Sequence, residues 1–556
     1  MSDSDDNVAV KVIQVHDLLD GDRVNFLTLY DEVVRYIRPQ KTESRQKSLT
    51  VGSRRGATRY DATGEDSSEK LTAQTSATVM PRAMKWFELA MVDDSLNELA
   101  AVKEWLDDSR DRMLSAYGDS NFYEANDTAF SDLIDFGTDC VYTEEQEVNA
   151  EGGFSGFNVE TWFPSEFVFW EGKNGLAEGV IRKFPLTLAA AREKFEAMPR
   201  FKGWAPNGKI AAAIEQAKEK PDVMQKQFTF MHAIQKRAHT FGTPFATDMP
   251  YSSHYVSVDD KSLLHEGGYL EFPAAITRWK RNTNDKMWGR GPSMKALPDV
   301  MTKNEARRLG LGAMAKDLDP PVVARHKGVV GAIRTGQRGI TYVRQQGDLS
   351  YLESGRRTGD VSFDDDKLAR QIRSYYFIDQ LEMLIGEPTP NMTAFEFGKR
   401  VEIMRRLLGS TFGRLEKEKL NRQIVRGFNV MNRRGGFAEP PQELLDAADS
   451  SMEIRYIGPL ARAQRLDDVD AIERTYALGN GIAQATGDQS HFDAFDATKA
   501  MLHVGELHGM PAKLRNSEDD IKALREQRAA DQQQQQGLDA AEQMANVAAK
   551  APEAVA

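Results

Sequence analysis

The sequence predicts an α+β chain that is mainly helical, and two observations predict it. Through most of the chain apolar residues recur at three- and four-residue steps, the period of a helix with one buried stripe. Between residues 139 and 280 that period gives way to β-branched and aromatic runs broken by turn residues, the pattern of strands. With 556 residues, 40% of them hydrophobic, the chain has material for several domains or one elongated body with an ample core.

Taken in order, residues 1–19 read as a mobile arm, and Asp22 to Arg38 as an amphipathic helix stopped by Pro39. Residues 41–66 are polar and contain glycine, a long loop carrying Arg54, Arg55 and Arg59. Helical patterns resume over 68–92, 97–117 and 119–136. Strands follow at Cys140–Thr143, Phe157–Phe163, Glu166–Trp170, Gly179–Phe184, Gln225–Arg237, Tyr255–Val258 and Ala274–Trp279, with helices near 187–197 and 209–219 between them. An α+β body thus stands beside a helical N-terminal part.

Pro292 can seat the first turn of a helix reaching Leu318, with Pro298 as an alternative start and Asp319-Pro320-Pro321 as its end. Short β-type runs between glycines fill 322–358, and Asp364–Asp366 open a second helix over Lys367–Ile385. Two helices flanking a small β insertion can run antiparallel as a hairpin with the insertion at its tip.

Gly386-Glu387-Pro388-Thr389-Pro390-Asn391 cannot be helical, and Thr393 and Glu396 have capping-box spacing behind it. Phe397, Val401, Met404, Leu408, Phe412, Leu415, Leu420, Ile424, Phe428 and Met431 then form one stripe. Roughly 38 helical residues would span about 57 Å, with Gly409-Ser410 and Gly413 as the places to kink. Lys399, Arg400, Arg405, Arg406, Arg414, Lys417, Lys419, Arg422 and Arg426 lie opposite. The stretch reads either as an amphipathic helix with a solvated face or as a lever holding out a proline-stiffened loop. Beyond it, Met452–Ile457 is a strand that could return to the body's sheet; 461–486, 490–508 and 516–532 are helical; and Gln532 onward is disordered or a lone helix.

Net charge −12 and pI near 5.5 argue against a surface that grips nucleic acid all over. Cys140 is alone, which fits a reducing compartment. The acidic start is no secretory signal, and no apolar run nears the roughly 18 residues of a membrane span, so a soluble cytoplasmic product is expected.

No motif carries catalysis. Gly203–Lys209 imitates a phosphate loop, but Ile210 stands where Mg²⁺ needs a hydroxyl, and a chance turn is the better reading. Gly289-Arg290-Gly291 lacks the third glycine of a dinucleotide loop and reads as a structural turn. His265-Glu266 has no second His one turn on, and the acidic run at 364–366 is explained by the helix start. No cofactor and no metal site is expected. Arg325, Lys327, Arg334, Arg338, Arg344, Arg356 and Arg357 make a basic grouping in the β insertion, the long helix another. Solvated faces, inter-subunit salt bridges and intermittent phosphate contact are the readings open for both.

Trp288-Gly-Arg-Gly-Pro-Ser-Met-Lys-Ala-Leu-Pro-Asp299, Asp319-Pro-Pro321, Met392-Thr-Ala394 and Tyr456-Ile-Gly-Pro-Leu-Ala-Arg-Ala-Gln464, in this order around a helix–β–helix–loop–helix layout, resemble the portal, or head-to-tail connector, proteins of T7-like short-tailed phages. The resemblance runs to about residue 530. It implies a portal fold: a wing over 20–291 after the arm 1–19, stem helices 292–320 and 361–385, a clip 321–360 between them, a tunnel loop 386–393, a long wing helix and return strand 394–457, a crown 458–525 and a tail 526–556. It further implies a homo-oligomeric ring, usually of twelve copies, at one capsid vertex of the virion, assembled in the host cytoplasm. Double-stranded DNA passes along such a ring during packaging and ejection without sequence readout. Glu387, Pro388, Thr389, Pro390, Asn391, Met392 and Thr393 would face that DNA. Arg325, Lys327, Arg334, Arg338 and Arg344 of the clip would meet the terminase large subunit and the tail adaptor or tail-tube proteins. Major capsid and internal core or scaffold proteins would be further partners, with no membrane and no catalysis of its own. The alternatives are a head–tail adaptor or scaffold without a channel, and a packaging ATPase built on Gly203–Lys209.

Overall fold

The computed structural model describes residues 2–41, 56, 59–82, 85–146, 153–196, 206, 208–240, 245, 248–334, 339–351, 359–380, 406, 408–446, 452–455, 459–486, 497–507, 521 and 524–528. They fall into two compact units, one of residues 1–84, 113–392 and 400–436, the other of 85–112, 393–399 and 437–556.

The first unit opens with α1 (Ser2–Tyr36), which corrects the expectation of a mobile arm over residues 1–19. Ala9 and Val12 are buried against Val168, Ile181, Met231, Ala233 and Val256, with Ile13 and Leu19 packed beside them. The stripe was hard to read because alanine and a buried histidine, His16, complete it. α2 (Thr63–Val79) buries Gly64, Ser67, Ser68, Thr72 and Thr75, a face of small side chains that lets neighbours come close. Strand β1 (Glu88–Met91) and helix α3 (Asp94–Glu98) belong to the second unit, and α4 (Ala100–Asp119) leads back to α5 (Phe122–Phe136).

From α5 the chain enters β2 (Thr138–Glu145), β3 (Phe157–Thr161), β4 (Phe167–Glu171) and β5 (Ala177–Thr187). α6 (Leu188–Glu196) and α7 (Gly208–Glu219) come next, then β6 (Gln227–Lys236), β7 (Tyr251–Ser257), β8 (Ser262–Tyr269) and β9 (Ala274–Arg278). β4 to β8 pair antiparallel in sequence order as a five-stranded sheet, while β2 sits between β3 and β9 in a second. Alternation puts Phe184, Phe228, Phe230, Tyr255 and Leu264 under α6 and α7, and their strand neighbours Ile181, Met231, Ala233 and Val256 under α1. Both faces of the five-stranded sheet are therefore covered. β8 was not expected as a strand, because Gly267-Gly268 reads as a turn; here those residues pair with Ser253 and Ser252 near one end of the ladder.

The remaining elements of this unit are α8 (Pro292–Leu318), the short strands β10 (Val322–Ala324), β11 (Val329–Val330), β12 (Tyr342–Val343) and β13 (Leu349–Tyr351), and α9 (Gly359–Tyr375). α8 starts at Pro292 and runs through Pro298. The long helix is seen over Ser410–Arg414 and Asn421–Arg433, joined by a wider π turn at Leu415–Leu420. Gly409, at φ 48°, interrupts it where a kink was expected.

In the second unit β14 (Met452–Arg455) pairs antiparallel with β1, Leu89 opposite Ile454. Two expectations are corrected here. Residues 88–91 are strand rather than the end of a helix, and 452–455 do not join the body's sheet. Within this unit Trp105 stacks edge-on to Phe437 and donates Nε1–H to Ala438 O at 2.9 Å. Helices Pro459–Thr486 and Ala497–Leu507 follow.

Candidate functional site at the end of a helical hairpin

α8 leaves the body where three glycines let two backbones cross. Gly137, at φ 73°, caps α5, and its missing Cβ would fall 2.5 Å from Gly289 O. A Cβ on Gly289 would meet Gly137 O at 2.1 Å, and one on Gly291 would meet Ile134 O at 2.2 Å. Trp288 is buried beside this crossing, against Phe26, Phe167 and Phe169. The Gly-Arg-Gly motif is therefore structural, as the sequence reading of a turn held, and its further role is a backbone crossing.

The root of the hairpin is polar and buried. Ser68 and Ser293 both donate to Asp135 Oδ1, at 2.6 and 2.7 Å, and Tyr376 OH donates to Ser293 Oγ at 2.8 Å. One carboxylate thus ties α2, α5, α8 and the end of α9. Burial pushes the Asp135 carboxyl up, against the pull of Arg38 and the two serines. About three turns further along α8, Lys303 Nζ lies 2.8 Å from Asp61, while Asn304 Oδ1 accepts from Tyr60 N at 2.6 Å. Burial opposes ionisation of Asp61, yet Lys303 and Thr63 hold its carboxyl below the ordinary range.

α8 and α9 run antiparallel. Asp299 accepts from Gln371 at 3.0 Å and from Tyr375 OH at 2.8 Å, and Lys303 faces Asp365 at 3.8 Å. Beyond Asn304 the burial of α8 stops, leaving Leu309, Leu311, Met314 and Leu318 in solvent.

The β insertion is two ribbons, β10 with β13 and β11 with β12. Only Gly328 and Asp348 are buried among its described residues. Asp348 braces the turn, accepting from Gln345 N at 2.9 Å, while its backbone O accepts from Arg325 N at 2.9 Å. Arg325 Nη1 stands 3.8 Å from that carboxylate with its side chain 77% exposed. Lys327 sits at φ 65°, and Arg344 N donates to Gly328 O at 2.8 Å. Arg334 N and O are both engaged by Thr341 Oγ1, at 2.9 and 3.3 Å. Backbone bonds fix Arg325, Arg334 and Arg344, and the side chains of all four residues stay exposed. Arg338 lies outside the described residues, as do Glu387, Pro388, Thr389, Pro390, Asn391, Met392 and Thr393.

A profile of the family described as Bacteriophage head to tail connecting protein matches residues 9–515. The chain belongs to that family.

The connector is similar to the portal protein of Salmonella phage epsilon15, 24% identical over 541 residues that span 94% of this chain and 91% of that one. It is likewise similar to the probable portal protein of Bordetella phage BPP-1, 25% identical over 546 residues, 95% and 92% of the two chains. Among solved structures, the neck of a native GTA particle computed with C12 symmetry aligns with 75% of this chain and 86% of its own, at 13% identity and a TM-score of 0.31. The family is that of the phage portal, so the connector's place is the virion, at the capsid vertex where head meets tail. No helix among the described residues is long and apolar enough to cross a membrane.

One further sequence reading changes on the connector's structure, and the dismissal of the phosphate-loop mimic stands. Of the basic set on the long helix, Arg414, Lys419 and Arg426 are tied into the fold and not solvated, while Arg406 and Lys417 are exposed and Lys399, Arg400 and Arg405 lie outside the described residues. Lys419 is fully buried on Asp139, and Arg426 lies 2.8 Å from Glu271, which Arg433 also meets. Arg414 donates to Trp279 O at 2.9 Å, and Glu418 holds the buried Arg278 at 2.7 Å. The π turn makes this possible, since it brings the consecutive residues Glu418, Lys419 and Leu420 all inward. Those charges serve the fold, and phosphate contact is withdrawn for them. The phosphate-loop mimic is closed too. Asp260 accepts from Lys209 N at 2.7 Å and Ile210 N at 3.0 Å, so a carboxylate already fills that helix N-terminus.

Proposed function

We propose that copies of the connector close into a ring, twelve by the resemblance, whose axis carries double-stranded DNA during packaging and ejection. α8 and α9 act as the stem, the β ribbons as the clip, and residues 387–393 as the loop that meets DNA. The observation that carries this reading is the apolar surface of the hairpin's outer half. Leu318, Ile340, Tyr342 and Tyr351 are between 58% and 88% exposed in one copy. Two isolated two-stranded ribbons are marginal in water, and an apolar stretch of this kind marks an interface. Neighbouring copies supply the missing core.

Arg325, Lys327, Arg334, Arg338 and Arg344 then serve as the clip's contacts to a terminase large subunit and a tail adaptor. The capsid and internal core or scaffold proteins meet the remaining outer surfaces. The work is structural, with no catalytic group, metal or cofactor in it, and the acidic total of −12 keeps non-specific hold on DNA low. Negative-stain imaging of the purified chain tests the reading. Closed rings with a bore wide enough for a duplex are expected, and a single-copy species under every assembly condition would refute it.

A further inference from the structure

We propose that Phe377 is a strained pivot that aims the chain as it leaves the hairpin, and that it has a second, relaxed state in which α9 runs on unbroken. α9 ends at Tyr375, and the helix resumes over residues 378–380. Between them Tyr376 N donates to Arg373 O at 3.1 Å and Phe377 N to Ser374 O at 3.2 Å, a tight three-residue turn. Phe377 makes that turn at φ 59°, in the left-handed region. A large L side chain is a rare occupant there, because its Cβ crowds the next carbonyl.

Elsewhere the chain uses glycine for such positions, as at Gly137 and Gly409. The other described non-glycine residues at positive φ, Lys261, Lys286 and Lys327, are exposed loop lysines. Phe377 alone among the described residues carries this strain between two helical segments.

Strain of this kind persists only where the surroundings impose it, and both neighbours are clamped. Tyr376 is fully buried, bonded to Ser293 and through it to Asp135 and Ser68. Ile378 is 2% exposed. If Phe377 relaxed to right-handed helix, Tyr376 could keep its bond while the residues after it swung round and Ile378 left its buried seat. Backbone strain therefore opposes burial of one isoleucine, and two opposed terms of similar size make a two-state element. The direction of the chain beyond Gln380 differs between the states.

The consequence for DNA transit rests on the ring reading above; the pivot itself does not. Spin labels on Asp366→Cys and Gln380→Cys in the full chain read it directly, since Cys140 is buried and stays unlabelled. An unbroken helix places these positions about 21 Å apart along its axis, and the kinked form brings them closer. The original Phe377 should give both distances, Phe377→Gly the shorter alone, and Phe377→Ala more of the longer. Phe377→Gly should also raise the thermal midpoint by about 1–2 °C, and lower packaged DNA several-fold with rings intact. The shorter distance alone with Phe377 and with Phe377→Ala, or a lowered midpoint in Phe377→Gly, overturns the pivot, and full packaging by Phe377→Gly overturns its consequence for DNA transit. Absence of rings in the unsubstituted chain would overturn the ring reading instead, while the distances would still decide the pivot.

Discussion

Asp132 lies wholly buried on α5, facing the Lys41 ammonium at 2.9 Å. Burial pushes its carboxyl up to about 6; Lys41 opposes the rise, and Asp135 and Asp139 add to it. The folded value thus exceeds the unfolded one of about 3.9. Between these two values the native state holds a proton the unfolded chain has released, so this group's contribution is full below pH 4 and is lost as pH rises through 6. Two units correspond to about 3 kcal/mol as an upper figure. Asp132→Asn is expected to gain about 1–3 kcal/mol at pH 7 and little at pH 4, read as denaturant midpoints at both values. His232 slopes the other way. Burial, with Lys194 and Arg182 nearby, holds it neutral, so it weakens the fold as pH falls below the ordinary histidine range. The difference between variant and parent removes that term. None of this was legible in the sequence. A lysine or aspartate on a helix reads as solvated whether or not a counter-charge waits across the core, and Lys419 on Asp139 has the same lesson.

At the scale of elements, periodicity was a good guide where one face is buried and a poor one elsewhere. β5 and β6 were legible because Ile181, Phe184, Phe230 and Met231 alternate across a sheet packed on both sides. β8 was hidden by Gly267-Gly268, and the first turns of α1 by small or polar members of its stripe. Which strand would receive Met452–Arg455 could not be read at all, since pairing partners far apart in sequence leave no local mark. The Gly-Arg-Gly crossing was legible only as a turn, and its purpose appears once Gly137 is seen opposite it. Gly291→Ala should therefore destabilise by about 3 kcal/mol or more, because backbone rather than a movable side chain stands in the way. Gly312→Ala is the control. Its Cβ would meet nothing within 4 Å in the open half of α8, so a gain of about 0.5–1 kcal/mol is expected from helix propensity. Urea unfolding of the two variants side by side separates a crossing glycine from a merely tolerated one.

For the whole molecule, sequence order and the resemblance carried the identification, while the exposed apolar surface proposed to close a ring is visible only in three dimensions. A buried core cannot distinguish a free-standing chain from one copy of an assembly; an apolar surface that one copy leaves wet can. Ile340 and Tyr342 are 67% and 68% exposed, so replacing both with serine should change one copy's own stability by no more than about 0.5 kcal/mol each. If these side chains sit between copies, the double variant should melt like the parent yet sediment as small species where the parent sediments as rings. Arg334→Glu with Arg344→Glu makes the complementary test. Their backbones are held by Thr341 and Gly328, so the charge can be reversed without disturbing the ribbons. That pair should keep rings and lose capture of terminase or tail adaptor, with salt weakening the parent's capture and not the variant's residual binding. Rings at parental yield from the serine variant would remove the clip from ring closure. Rings lost in the charge variant would mean that these arginines face a neighbouring copy and not a docking protein.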